Sequence, residues 1–110
     1  MPLAAGLLRE TVTVQVPAEE RNELGEATQT WSTFAVRRAY VEAISFVETE
    51  RRGQVGGMTS YTVRMRYLEG ITSAMRLRWD SRDGKVLWIS SVVEKGHREE
   101  HELTCEEQAA

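Results

Sequence analysis

Val63-Arg64-Met65-Arg66-Tyr67 and Met75-Arg76-Leu77-Arg78-Trp79 decide the fold, because each stretch alternates apolar side chains with arginine. A period of two marks a strand with one buried face, since successive side chains point to opposite sides of a sheet. If the two strands pair, Val63, Met65, Tyr67, Met75, Leu77 and Trp79 form a core-facing surface. Arg64, Arg66, Arg76 and Arg78 then share the opposite face.

The same period extends outward from this pair. Residues 9–16 place Val12, Val14 and Val16 on one side and Thr11, Thr13 and Gln15 on the other, and Pro17 is expected to end the strand. Residues 31–44 return to aromatic and β-branched side chains, with an alternation that slips at Arg37 and Arg38, where a bulge or a strong bend is expected. Strands are also expected over 59–68, 74–80, 85–95 and 98–106. Asp83-Gly84 gives the hairpin signal between the second and third of these four. Val86, Leu87, Trp88, Ile89, Val92 and Val93 make the 85–95 strand apolar on both faces, so it is expected to be central and covered on both sides, or else covered on one side by a neighbouring subunit, with core the first choice.

Between these strands the pattern fails. Residues 18–30 carry Glu19, Glu20, Glu23 and Glu26 with Gly25 and little to bury, which predicts a mobile acidic loop. Ser45 followed by Glu48 has capping-box spacing and predicts a short helix over 46–52. Gly53, Gly56 and Gly57 then predict a second flexible segment, running to Met58. The expected fold is all-β: a small six-stranded β-barrel or sandwich with one short helix and two flexible loops.

The chain has 110 residues, enough for one domain and one small core, and it is 41% hydrophobic and 28% charged, as folded chains are. The single cysteine, Cys105, cannot form an internal disulfide, and it is expected to pack as a small apolar residue. No apolar run is long enough for a membrane span and residues 1–8 lack signal-peptide character, so an intracellular site of synthesis and no membrane partner are expected. A net charge of −3 argues against a dedicated nucleic-acid binder.

Catalytic chemistry finds no foothold. The two histidines, His97 and His101, lie in an acidic stretch with no third ligand marked by spacing, and an exposed polar strand accounts for them. No nucleophile motif, phosphate loop or paired-carboxylate motif accompanies them, so no enzyme, cofactor or metal is expected. Charge is more informative. Residues 59–79 hold four arginines against Glu69, whereas 94–107 hold six glutamates against Lys95 and Arg98. That asymmetry suits a head-to-tail contact in which a basic face of one copy meets an acidic face of the next, and the closed product is a ring.

The linear order is itself informative. Ala5-Gly6-Leu7-Leu8-Arg9 precedes a Val-Thr-Val strand, then come the acidic loop, Thr30-Trp31, Ala39-Tyr40-Val41-Glu42, Ser45 and Glu48. Arg66-Tyr67, Gly70-Ile71-Thr72, Met75-Arg76, Trp88-Ile89 and Leu103-Thr104-Cys105-Glu106-Glu107 follow. Over nearly its whole length the chain resembles the head-tail joining proteins, also called head-closure or stopper proteins, of long-tailed bacteriophages, prophages and gene-transfer agents. It departs from the usual pattern at Leu68, where a second arginine is common, and at Phe46, where a glycine is common.

The resemblance implies a single head-closure domain over 1–110 and a place in the virion neck, reached from the host cytoplasm during assembly. It implies a homo-oligomeric ring of twelve copies below the portal and its adaptor, formed by chains that are monomeric when isolated. The ring closes the DNA exit channel and offers a docking surface to tail-terminator or tail proteins, and the packaged double-stranded DNA is met without sequence specificity. On this view Arg64, Arg66, Arg76 and Arg78 make subunit contacts. Arg51, Arg52, Gly53, Gln54, Val55, Gly56 and Gly57 form a gating segment at the lumen, and Glu19, Glu20, Glu23, Gly25 and Glu26 a partner-docking loop. Two other readings compete: a tail-terminator or tail-completion ring subunit, and a small nucleic-acid-binding β-barrel, for which aromatics interleaved with the arginines are expected.

Overall fold

A computed structural model describes residues 5–51 and 54–108. Among them are six antiparallel strands, β1 (Glu10–Arg21), β2 (Ala27–Arg51), β3 (Gln54–Arg66), β4 (Arg76–Trp79), β5 (Lys85–Lys95) and β6 (Glu100–Gln108). They close into a barrel in the order β1-β2-β3-β6-β5-β4. The all-β expectation holds. The core is made by the inward positions the alternation marks: Val12, Val14, Val63, Met65, Leu77, Leu87, Leu103 and Cys105 are wholly buried.

The expected helix over 46–52 does not form, because β2 runs on as a strand to Arg51. Backbone pairing from Phe46↔Thr59 through Glu48↔Gly57 to Arg51↔Gln54 replaces the hydrogen bonds a helix would make. Val47 and Thr49 are β-branched and favour this outcome. The segment Gln54, Val55, Gly56 and Gly57, expected as a flexible excursion, is therefore the start of β3. Of the expected gating residues, Arg52 and Gly53 lie outside the described residues.

The mobile acidic loop is likewise a hairpin. β1 passes through Pro17 and pairs with β2 out to Arg21↔Ala27. Pro17 is tolerated because β1 has no partner on its other side beyond Gln15, where its pairing with β4 ends.

β2 is the organising element. At its middle, Ala39 pairs both with Glu10 of β1 and with Met65 of β3, so the two halves of β2 belong to different hairpins. A straight strand of 25 residues would run about 80 Å at 3.3 Å per residue. The molecule measures 49 Å along its longest axis, so β2 must coil. Register slips beside Phe34 and Ile44 allow it, instead of the single bulge or bend expected at Arg37 and Arg38. A third slip, at Ser90, is stabilised by its own hydroxyl, which donates to the Thr104 carbonyl at 2.9 Å.

β3 and β4 do not pair, although they are consecutive. They lie three strands apart in either direction around the barrel, so the connection between them must cross one end. Leu68, Ile71 and Met75 of that connection are buried and plug it. Gly70, at φ +93°, lies so close to the Phe34 ring that an added Cβ would sit 3.1 Å from Cζ.

Candidate functional site

The strand order corrects the placement of the four arginines. Arg64 and Arg66 on β3 and Arg76 and Arg78 on β4 occupy opposite sides of the barrel, not one face. Their surroundings differ as much as their positions. Arg64 reaches Glu100 at 3.4 Å, and Glu100 is itself buried, so this pair is internal to one subunit. Arg78 donates from Nε to Asp80 at 2.7 Å and from a terminal nitrogen to the Thr13 hydroxyl, which in turn donates to Asp80. Burial works to raise the Asp80 pKa, but the hydrogen bonds from Thr13 and Arg78 outweigh it and hold the carboxyl below its ordinary value.

Arg76 lies over the Trp31 ring, 4.2 Å from its centroid, and 5.4 Å from that of Trp88. The two indoles meet edge to face at 5.6 Å, and Gln15 accepts from Arg76 Nε at 2.7 Å. Trp88 is 47% exposed, so the expectation that its strand is core on both faces is corrected: alternation along β5 buries Leu87 and Ile89 and turns Trp88 outward. Arg66 is exposed and has no ion-pair partner among the described residues.

Half of the glutamates of the acidic terminal stretch are engaged within the chain. Besides Glu100, Glu102 pairs with Lys95 at 2.8 Å, and Glu107 accepts from Lys85 at 3.3 Å and from the Tyr61 hydroxyl at 3.1 Å. The charge asymmetry between 59–79 and 94–107 therefore arises in part because β3 and β6 are neighbours.

The histidines part company. His97 is exposed in the β5–β6 turn, whereas His101 is buried, stacks on Tyr67 at 4.7 Å, and accepts from the Leu68 backbone N–H at Nδ1. Cys105 is buried, and burial pushes its thiol pKa up to about 12.

Two further features stand out on the surface. The first is the tip of the β1–β2 hairpin. Its turn is rigid: the Asn22 side chain accepts from the Leu24 and Glu26 N–H groups, each at 2.9 Å, and Gly25 takes φ +81°. Glu19, Glu20, Glu23 and Glu26 are all exposed on this hairpin, and Leu24 at its tip is 83% exposed. The second is an open cleft of about 420 Å³ lined by Leu8, Val36, Arg37, Arg38 and Arg66. Arg66 was legible in the sequence as an arginine on an outward face; Arg37 and Arg38 were legible only as an irregularity in alternation.

Residues 3–108 match the family of phage head completion proteins, which takes in the barrel and both hairpins. The chain belongs to this family. It is thus a structural protein of the phage virion that serves in completing the head. Among solved structures, a chain of the native gene transfer agent virion is similar at a TM-score of 0.69 and 15% identity, covering 92% of this chain and 96% of that one. The solution structure of protein SF1141 from Shigella flexneri 2a is similar at a TM-score of 0.70 and 22% identity, covering 96% of each chain. At these identities the likeness extends to the fold. No curated protein matches the sequence.

Proposed function

We propose that the protein is a neck subunit that forms a ring beneath the portal and its adaptor, closes the DNA exit channel after packaging, and offers the surface on which the tail docks. The observation that carries this reading is β2, which builds one wall of the barrel and continues at both ends as one side of a paired hairpin. A closed barrel has no free sheet edge, so it associates through projecting arms and side-chain faces. A ring that meets unlike partners above and below needs such arms at both ends of a rigid body.

On this reading the exposed Trp88, with the half-buried Trp31 and Arg76 beside it, forms a contact surface of the residue types that dominate binding energy at protein interfaces. The same cluster is the arrangement expected of a nucleic-acid barrel, but one face of Trp31 is already covered by Arg76. Subunit or partner contact is the better use of it.

Electron microscopy of particles from a lysate in which this gene alone is deleted tests the reading, with complementation as control. Tailless heads that have lost DNA, beside complete free tails, are expected. Intact tailed particles would overturn it, and a protein that copurifies with tails but not with filled heads would point to tail termination instead.

A further inference from the structure

We propose that the acidic β1–β2 hairpin of one copy docks in the arginine-lined cleft of the next copy, with Leu24 against Leu8 and Val36. This rests on the ring reading above and supplies its subunit contact. The two features are complementary in charge and in apolar character. The hairpin carries Glu19, Glu20, Glu23 and Glu26 against Arg21 alone. The cleft carries Arg37, Arg38 and Arg66, and no carboxylate lines it. Arg38 and Arg37 each give one donor to a backbone carbonyl, of Leu8 and Val36 respectively, which leaves further N–H groups of both guanidinium forks to face a partner. Leu24 at the tip and Val36 in the cleft are both large, apolar and more than half exposed.

Geometry excludes the intramolecular version of this contact. Leu8 lies just before β1 begins, and the hairpin tip lies just past its end at Arg21. The twelve residues of β1 hold the two about 35 Å apart on one continuous ladder. A hook and a socket at opposite ends of one rigid element make a heterologous contact, which propagates from copy to copy and closes into a ring when the rotation allows. The pairing of carboxylates with arginine forks fixes the register of the contact, and the apolar tip supplies its buried centre.

The rigid Asn22 turn belongs to the same argument. A tip that is already ordered loses little entropy on docking.

The test is a cross-link in assembled particles carrying Leu24→Cys together with Val36→Cys, treated with a short bis-maleimide. Cys105 does not interfere, since it is buried and its thiol is held protonated. A ladder of covalent multimers, absent from either single variant, is the expected result. Rings visible by microscopy with no ladder overturn the docking while leaving the ring intact; particles in which the wild-type protein forms no ring overturn both. Should the cysteine pair fail to incorporate, charge exchange decides. Glu20→Arg with Glu23→Arg, and separately Arg37→Glu with Arg66→Glu, should each lower the yield of DNA-filled, tailed particles by about tenfold or more, and the four together should restore it. Loss with the arginine variants that the hairpin variants do not rescue overturns the proposal, and is the result expected if the cleft instead holds DNA phosphates.

Discussion

His101 holds the plugged end of the barrel through a contact that works only while the imidazole is neutral. Its Nδ1 accepts the Leu68 N–H at 3.1 Å, so a proton there would set donor against donor. Burial lowers its pKa below the ordinary 6.5, and the Glu94 charge only partly offsets this. A lowered histidine pKa means the unfolded chain takes up the proton first, so stability falls as pH drops below about 6.5 and levels off beneath the folded-state value. Urea melts of the wild type should therefore move to lower midpoints between pH 7 and pH 5.5. His101→Phe keeps the stack on Tyr67 but strands the buried N–H, at a cost of about 1–3 kcal/mol at pH 7, and should lose that pH dependence. Equal pH slopes in the two proteins would show that His101 is not the titrating group. Its burial was legible in the sequence, because His101 is in phase with Leu103 and Cys105 on β6; the flanking acids drew attention to charge instead. The arginines allow a second contrast at this scale. Arg64→Ala leaves the buried Glu100 without its partner and should cost about 1–3 kcal/mol, whereas Arg66→Ala, at an exposed position, should stay within about 0.5 kcal/mol in the same melts.

At the scale of elements, what the sequence revealed tracks burial. The bounds of β5 were legible to the residue from the apolar, β-branched run behind the Asp83-Gly84 turn, but its two faces were not, because Trp88 is as apolar as the buried Leu87 and Ile89 and yet points outward. The hairpin at 18–30 was read as a loop because both of its faces meet solvent, and a strand with no buried face has no period to show. The segment 46–52 misled for a different reason: Ser45 and Glu48 satisfy a local capping rule, yet the pairing of β2 with β3 supplies the hydrogen bonds over a longer range. Turn chemistry survived better than strand extent. Asp83 and Gly84 both take positive φ, as the Asp-Gly signal requires, and Gly25 takes it in the acidic hairpin. Here a further prediction follows from geometry. Asn22→Ala removes the side-chain oxygen that accepts from both turn amides, so amide exchange at Leu24 and Glu26 should speed up while the barrel amides of β6 are unchanged. Faster exchange throughout the barrel would mean that the hairpin is part of the cooperative core and not an arm on it.

For the molecule as a whole, strand order was the part the sequence withheld. Period and turn signals are local, whereas the pairing of β3 with β6 and of β1 with β4 joins residues far apart in the chain, and nothing in either strand names its distant partner. The consequence reached the candidate site: four arginines that share a phase were placed on one face, and the barrel sets them on opposite sides. The division of labour between barrel and arms leads to the last prediction. β2 meets β1 no further along than Ala39 and β3 meets β6 only from Met58 on, so the rungs from Glu48↔Gly57 outward form a two-stranded ladder on which closure of the barrel does not depend. Glu48 pairs with Gly57 and Val47 with Met58, so excising 48–57 removes complete rungs, and Val47 can be joined to Met58 through Asn-Gly, which forms a two-residue turn. Removing Gln54 to Gly57 alone would instead leave one side of the ladder unpaired. The trimmed protein should melt within about 1 kcal/mol of the wild type, since every rung that closes the barrel is kept. If this hairpin gates the channel as proposed, rings should still assemble through the other arm while heads lose their DNA. Trimmed rings on heads that hold their DNA would remove the gate from 48–57 and leave closure to the barrel wall or to the acidic hairpin.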